Sequence, residues 1–254
     1  MLAFESIIDL TRPMSVATWK DFVRIIESNH RIAHTYETLV SGIHFAAKTA
    51  LPGAPLKSLM ICSAQPGEGK TTVSVGLTLT MALAGRRVLL VDADARRPAV
   101  HEIFELSSKP GFTDVLAEAS DVKLNDVVQH VALDRPNASV DIVPSGPPLP
   151  AHANPLASSR LAPFIAAASE QYHLVVFDSP PVLAVSDSCF LAPVVSGVIF
   201  VVGTGTVQER DAKLAKDRIQ KAGGRLLGFV MNRFDDPHSP GYHPYEGYYD
   251  FSRT

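Results

Sequence analysis

Ala64-Gln65-Pro66-Gly67-Glu68-Gly69-Lys70-Thr71-Thr72 is the stretch on which the reading of this chain turns. It follows the apolar run Ser58 to Cys62 and opens a proline-free segment, Val73 to Ala84, whose pattern predicts a helix. Strand, glycine-rich turn and helix in that order form the setting of a phosphate-binding loop. Gly67 and Gly69 let the backbone turn sharply, so that successive N–H groups can face a phosphate. The helix N-terminus behind them adds partial positive charge. Lys70 is expected to reach the β- and γ-phosphates, and the Thr71 hydroxyl to complete a Mg²⁺ shell otherwise made of water and phosphate oxygens. Gly67, Glu68, Gly69, Lys70, Thr71 and Thr72 are thus the candidate nucleotide-binding residues.

Around this loop, short apolar runs alternate with helical patterns. The expected strands are Leu59–Cys62, Arg87–Asp92, Val140–Pro144, His173–Asp178, Gly197–Val202 and Leu226–Met231. Helices fit Thr71–Ala84, Leu161–Gln171 and Val207–Ala222. Continuously apolar strands joined by crossover helices predict an α/β P-loop NTPase fold, with a mostly parallel sheet covered by helices on both faces. Residues 58–234 are assigned to this core. Residues 1–57 are expected to be a helical arm, because Phe22, Ile25, Ile26, Ile32, Leu39, Ile43 and Phe45 recur at helical spacing. Residues 235–254 have too little apolar content at any period to form a core element and read as a disordered, tyrosine-rich tail.

Composition narrows the function. The chain has 254 residues, 46% of them hydrophobic, enough for a sizeable core. A net charge of −3 gives no electrostatic reason to expect nucleic acid. Two cysteines in apolar stretches, with no CxxC spacing, suggest a reduced cytoplasmic setting. No apolar run approaches the ~20 residues of a membrane span, and the first residues lack the basic stretch of a secretory signal. The nine histidines show no metal-ligand spacing.

Two strand ends carry acids. Val88-Leu-Leu-Val-Asp92-Ala-Asp94-Ala-Arg96-Arg97 ends one strand with two aspartates, and Leu174-Val-Val-Phe-Asp178 ends another. Ligands of open parallel sheets bind beyond the carboxyl ends of the strands, so all three acids are expected near the loop. Triphosphate and carboxylates repel one another unless a cation lies between them. Asp178 is assigned to the metal shell, and Asp92 and Asp94 share the metal and general-base roles without being distinguishable. Arg96 and Arg97 read equally as phosphate or subunit contacts and as a solvated turn.

With these residues in view, the chain resembles the bacterial protein-tyrosine kinases of capsule and exopolysaccharide biosynthesis. Ser63 to Thr72, Val91-Asp-Ala-Asp-Ala-Arg-Arg-Pro98 and Val176-Phe-Asp-Ser-Pro-Pro-Val182 resemble their three Walker elements, and Pro110 to Leu116 and Pro144 to Pro150 resemble further family segments. The resemblance implies ATP and Mg²⁺ as cofactors, and Asp92 and Asp94 as the acids that bind metal and activate an acceptor tyrosine. It also implies adenine recognition by Asn232. Tyr242, Tyr245, Tyr248 and Tyr249, four of the six tyrosines, would be the phosphoacceptors, modified in trans by self-association, with charge repulsion then loosening the assembly. The implied partner is a separate membrane chain-length regulator that recruits the protein to the inner face of the membrane and activates it.

Two departures bear on the rival readings, a partition-type ATPase switch and an ATP-binding regulator without transfer. The early P-loop lysine of partition ATPases is absent, with Gln65, Pro66 and Glu68 in that region. The arginine-bearing E-x-x-R-x-x-R helix of the kinases aligns with His34, Glu37 and Val40, so both arginines are missing.

Overall fold

The computed structural model describes residues 4–8, 18–147, 149 and 153–232. In chain order the elements are β1 (Phe4–Ile8), α1 (Trp19–Ser28), α2 (His30–Ala50), β2 (Ser58–Ser63), α3 (Lys70–Leu83) and β3 (Val88–Asp92). Then come α4 (Val100–Ile103), α5 (Phe112–Leu116), α6 (Leu124–Val127), β4 (Gln129–Ala132) and β5 (Ser139–Val143). After a 3₁₀ turn at Pro155–Ala157 follow α7 (Leu161–Gln171), β6 (Leu174–Asp178), α8 (Asp187–Leu191), β7 (Gly197–Gly203), α9 (Glu209–Lys221) and β8 (Leu226–Asn232). The tyrosine tail expected over 235–254 lies outside the described residues.

The eight strands form one sheet in the order β1-β8-β7-β2-β6-β3-β5-β4. Every pairing is parallel except β4 with β5. The expected mostly parallel sheet with helices on both faces is therefore present, and its six expected strands are all found. Two further strands lie at its edges. Phe4–Ile8 pairs in parallel with β8, a strand that the helical-arm expectation for residues 1–57 did not include. Gln129–Ala132 pairs antiparallel with β5.

Period-two alternation sorts the strand side chains between two cores. Leu59 and Ile61, Val88 and Leu90, Leu174 and Val176, and Ile199 and Val201 face one side, with α1, α2 and α3. Met60 and Cys62, Leu89 and Val91, Val175 and Phe177, and Val198 and Phe200 face the other, with α5, α7 and α9. Each large apolar side chain so buried contributes roughly 1.5–3 kcal/mol against exposure. The helical spacing over 19–50 has the same physical meaning: Trp19, Phe22, Val23 and Ile26 of α1, and Tyr36, Leu39, Ile43 and Ala47 of α2, are buried in the first core. Phe45 is the exception at 66% exposed.

Strand register places the site. Asp92 and Asp178 are direct partners on neighbouring parallel strands, each one residue past an apolar residue of the second core. Both side chains therefore emerge on the α3 side, at the carboxyl end of the sheet.

Candidate nucleotide site

The loop between β2 and α3 is shaped by two left-handed glycines, Gly67 at φ 82° and Gly69 at φ 94°. Only glycine takes this region without steric cost. Gly69 meets a further constraint, since a Cβ there would collide with the side-chain amide of Asn232. Asn232, at the end of β8, donates from Nδ2 to the Glu68 carbonyl at 2.8 Å. Its Oδ1 is buried and has no hydrogen-bond partner among the described residues.

Glu68 is positioned differently from a phosphate ligand. Its side chain is fully buried, Oε2 accepting from the Gly203 N–H at 3.0 Å and Oε1 from the Gln65 N–H at 2.5 Å. The carboxylate therefore staples the loop to the end of β7. Burial raises its pKa, while the Gly203 and Gln65 N–H groups pull the other way. Of the nucleotide residues expected from sequence, Glu68 keeps only its backbone available.

Lys70 and Thr71 open α3. Lys70 Nζ lies 3.3 Å from Asp94 Oδ2. Burial would lower the lysine pKa, but Asp178 and Asp94 outweigh it, so the net shift is upward. Thr71 Oγ1 donates to Asp178 Oδ2 at 2.6 Å, and Ser74, one turn on, donates to Asp178 Oδ1 at 3.3 Å. Thr72 offers its carbonyl to the buried Tyr36 hydroxyl at 3.3 Å, which ties α2 to the loop's helix. Tyr36 fits there because Gly76 leaves room: a Cβ at Gly76 would collide with the phenol ring.

The structure separates Asp92 from Asp94, which sequence could not. Asp92 is fully buried; Oδ1 accepts from the Asp94 N–H at 3.2 Å, and Oδ2 from Ala99 N–H and Val100 N–H, both at 3.0 Å. It fixes the turn that carries Asp94. Burial, then the nearby Asp178, push its pKa up to about 8. Burial raises Asp178 as well, against the pull of Lys70 and the Thr71 hydroxyl. Asp94 instead lines a cleft of ≈ 330 Å³ with Gly67, Lys70, Arg97, Pro180 and Pro181. Asn232 is not part of that cleft.

Sequence reading left Arg96 undecided, and its pairing is specific. Its Nε donates to Asp187 Oδ2 at 3.1 Å and its Nη2 to the Ala153 carbonyl at 3.0 Å, joining the turns after β3, β5 and β6. Asp187 was not singled out from sequence, and it lies 91 residues away. Ser74 was missed too, although its i,i+3 spacing from Thr71 puts both hydroxyls on one helix face. Among the described residues no three His, Cys, Asp or Glu side chains form a ready-made metal cage.

A glycine-shaped loop, its lysine and threonine, and an acid at each of two neighbouring strand ends define a P-loop nucleotide-binding protein. The comparisons with known proteins agree. Residues 59–244 match the CobQ/CobB/MinD/ParA nucleotide binding domain. Over 213 residues the chain is 34% identical to the tyrosine-protein kinase YwqD of Bacillus subtilis, covering 84% of this chain and 86% of that one. The kinase domain of the Escherichia coli tyrosine kinase Etk superposes with a TM-score of 0.77 at 27% identity, covering 93% and 94% of the two chains. MinD of Pyrococcus horikoshii, solved with Mg-ADP, gives a TM-score of 0.56 at 26% identity, covering 70% of each chain. The chain belongs to the bacterial tyrosine-protein kinases, within the wider CobQ/CobB/MinD/ParA nucleotide-binding family.

Proposed function

We propose that this kinase uses Mg²⁺·ATP to phosphorylate the tyrosines of its own C-terminal segment, Tyr242, Tyr245, Tyr248 and Tyr249, between copies. The observation that carries the proposal is the cleft beside Lys70 and Asp94, which leaves room for an acceptor next to the phosphate loop. The segment also starts from the right edge, because β8 ends at Asn232 on the carboxyl side of the sheet. Tyr242 is ten residues beyond Asn232, a reach of at most ~33–36 Å, and the later tyrosines reach further.

The side chains fit Mg²⁺ and a nucleotide. Burial raises the pKa of both Asp92 and Asp178, with Asp178 adding to the shift of Asp92 and Asp94 to that of Asp178, so a bound cation would relieve the crowding of these acids. Mg²⁺ bound here would keep several waters beside the Thr71 and Asp178 side chains. The orphaned Asn232 Oδ1 is an acceptor suited to an adenine amino group. Bound Mg²⁺·ATP supplies the γ-phosphoryl group and the charge these acids lack.

Residue roles follow from position. The Gly67–Gly69 backbone and Lys70 hold the phosphates, and Thr71 and Asp178 hold the cation. Asp94, facing the cleft, takes the proton from the acceptor hydroxyl as its oxygen bonds to the γ-phosphorus and the bond to the ADP oxygen breaks. Lys70 neutralises charge on the leaving side. Asp92 keeps the Asp94 turn in place. In the cell the protein is proposed to act at the inner face of the membrane with a chain-length regulator of polysaccharide export. Among the described residues no helix is long and apolar enough to cross a membrane, and recruitment by such a partner is part of the proposal.

The test mixes two variants with Mg²⁺·ATP: Lys70→Met with an intact tail, and an active chain with all four tail tyrosines changed to Phe. Phosphotyrosine on the Lys70→Met tail is expected. Its absence, while the unmixed wild type labels itself, would show transfer within one chain.

A further inference from the structure

Three cations line the acceptor cleft among the described residues, and two are engaged. Lys70 faces Asp94 at 3.3 Å, and Arg96 is held by Asp187. Arg97 is exposed, and its guanidinium has no hydrogen-bond or ion-pair partner among the described residues. Its backbone is not free to drift, because the Arg97 N–H donates to Asp94 Oδ1 at 3.1 Å. A guanidinium without a partner among the described residues is thus carried on a backbone anchored to the acid facing the acceptor.

The tail, on which the proposed function rests, is charged in a pattern this cation can read. Its sequence Tyr242-His-Pro-Tyr245-Glu246-Gly-Tyr248-Tyr249-Asp250 gives Tyr245 and Tyr249 an acid immediately after the hydroxyl-bearing residue. Tyr242 is followed by His243 and Tyr248 by Tyr249, neither of them acidic. We propose that Arg97 selects among the acceptors by pairing with the carboxylate that follows the tyrosine, so that Tyr245 and Tyr249 are phosphorylated before Tyr242 and Tyr248. A guanidinium suits this role, since its planar fork matches a carboxylate with two parallel N–H bonds. Neighbouring cations cannot substitute, because both already face acids of the site.

The size of the effect is set by exposure. A pair formed at a solvent-exposed mouth favours one site over another by about two- to fivefold. It also weakens as salt shortens the screening length, so the preference shrinks toward none at about 0.5 M salt.

The test follows phosphate on each tail tyrosine over time by mass spectrometry, in the full chain with Mg²⁺·ATP. Wild type, Arg97→Gln, and a tail variant carrying Glu246→Gln and Asp250→Gln are compared. Because the readout is a ratio between tyrosines of one molecule, a general loss of rate cancels. The expected result is early labelling of Tyr245 and Tyr249 in wild type, with the ratio falling to near one in both variants and at high salt. Equal rates in wild type, or a preference that survives Arg97→Gln, overturns the inference and leaves tail phosphorylation standing. No label on any tail tyrosine, in any of the three proteins, removes tail phosphorylation itself and the inference with it.

Discussion

The Thr71 hydroxyl donates to Asp178 Oδ2 across 2.6 Å, joining the first turn of α3 to the end of β6. Two elements far apart in sequence are thereby held together beside the phosphate loop, where the proposed cation would sit. Replacing Thr71 with Val keeps the shape and removes the donor. It is expected to weaken Mg²⁺-dependent binding of a non-hydrolysable ATP analogue by about tenfold to a hundredfold, the range of a hydrogen bond to a charged group. Thr71→Ser, which keeps the hydroxyl, should stay near wild type. Titration calorimetry with and without Mg²⁺ separates the two, and equal Mg²⁺ dependence in Thr71→Val would be the contrary result.

Gly69 and Asn232 are in contact across 163 positions of sequence, and each limits the other. Gly69→Ala places a Cβ against the Asn232 amide and forces a left-handed backbone that costs roughly 1–2 kcal/mol for a residue with a side chain. Nucleotide binding is expected to fail and unfolding to occur at lower denaturant. Adding Asn232→Ala removes the collision but not the strained backbone, so stability should recover in part. Full recovery in the double variant would mean that the positive φ carries no cost.

Glu68 separates the structural from the ligand-binding parts of the loop. In Glu68→Gln the side chain has one acceptor and an NH₂ group, yet both the Gly203 and Gln65 N–H groups require an acceptor. The variant is expected to lose about 1–3 kcal/mol by chemical denaturation, the cost of leaving a buried donor unpaired. A stability equal to wild type would mean that the staple contributes nothing.

The legible parts of this fold share one property: their signal is local. Val88–Asp92 and Leu174–Asp178 are continuous apolar runs ending in acids, and a buried parallel strand produces that pattern by itself. Gln129–Ala132 has no such run, because its strand exists only through antiparallel pairing with Ser139–Val143. Phe4–Ile8 likewise gains its place from pairing with Leu226–Asn232. The site divides the same way. Lys70, Thr71, Asp94 and Asp178 are announced by motif spacing. Asp187 is visible only once the fold brings it to Arg96. The burial of the Glu68 side chain depends on the end of β7, which no reading of the loop alone contains.

Crowded acids give the site a pH signature. In the folded chain Asp92 holds its proton up to about pH 8, whereas an ordinary aspartate loses it near 3.8. Between those values the folded state binds more protons than the unfolded chain, so stability falls as pH rises through that window. Lys70 is shifted upward from 10.5, and its favourable contribution is fully present below that value, so it does not alter the slope there. Without ligand, the melting temperature should therefore be lower at about pH 8.5 than at about pH 6. A bound divalent cation replaces the proton as the neutralising charge, so stabilisation by Mg²⁺·ADP should be larger at the higher pH. Asp178 and Glu68 are raised as well and add to the slope in the same direction, so Asp92→Asn removes one raised carboxylate and should make the ligand-free slope shallower, whatever its absolute melting temperature. Thermal melts of both proteins at the two pH values, with and without Mg²⁺·ADP, decide the matter. A ligand-free melting temperature that rises with pH in wild type, or a slope unchanged in Asp92→Asn, would place the proton elsewhere.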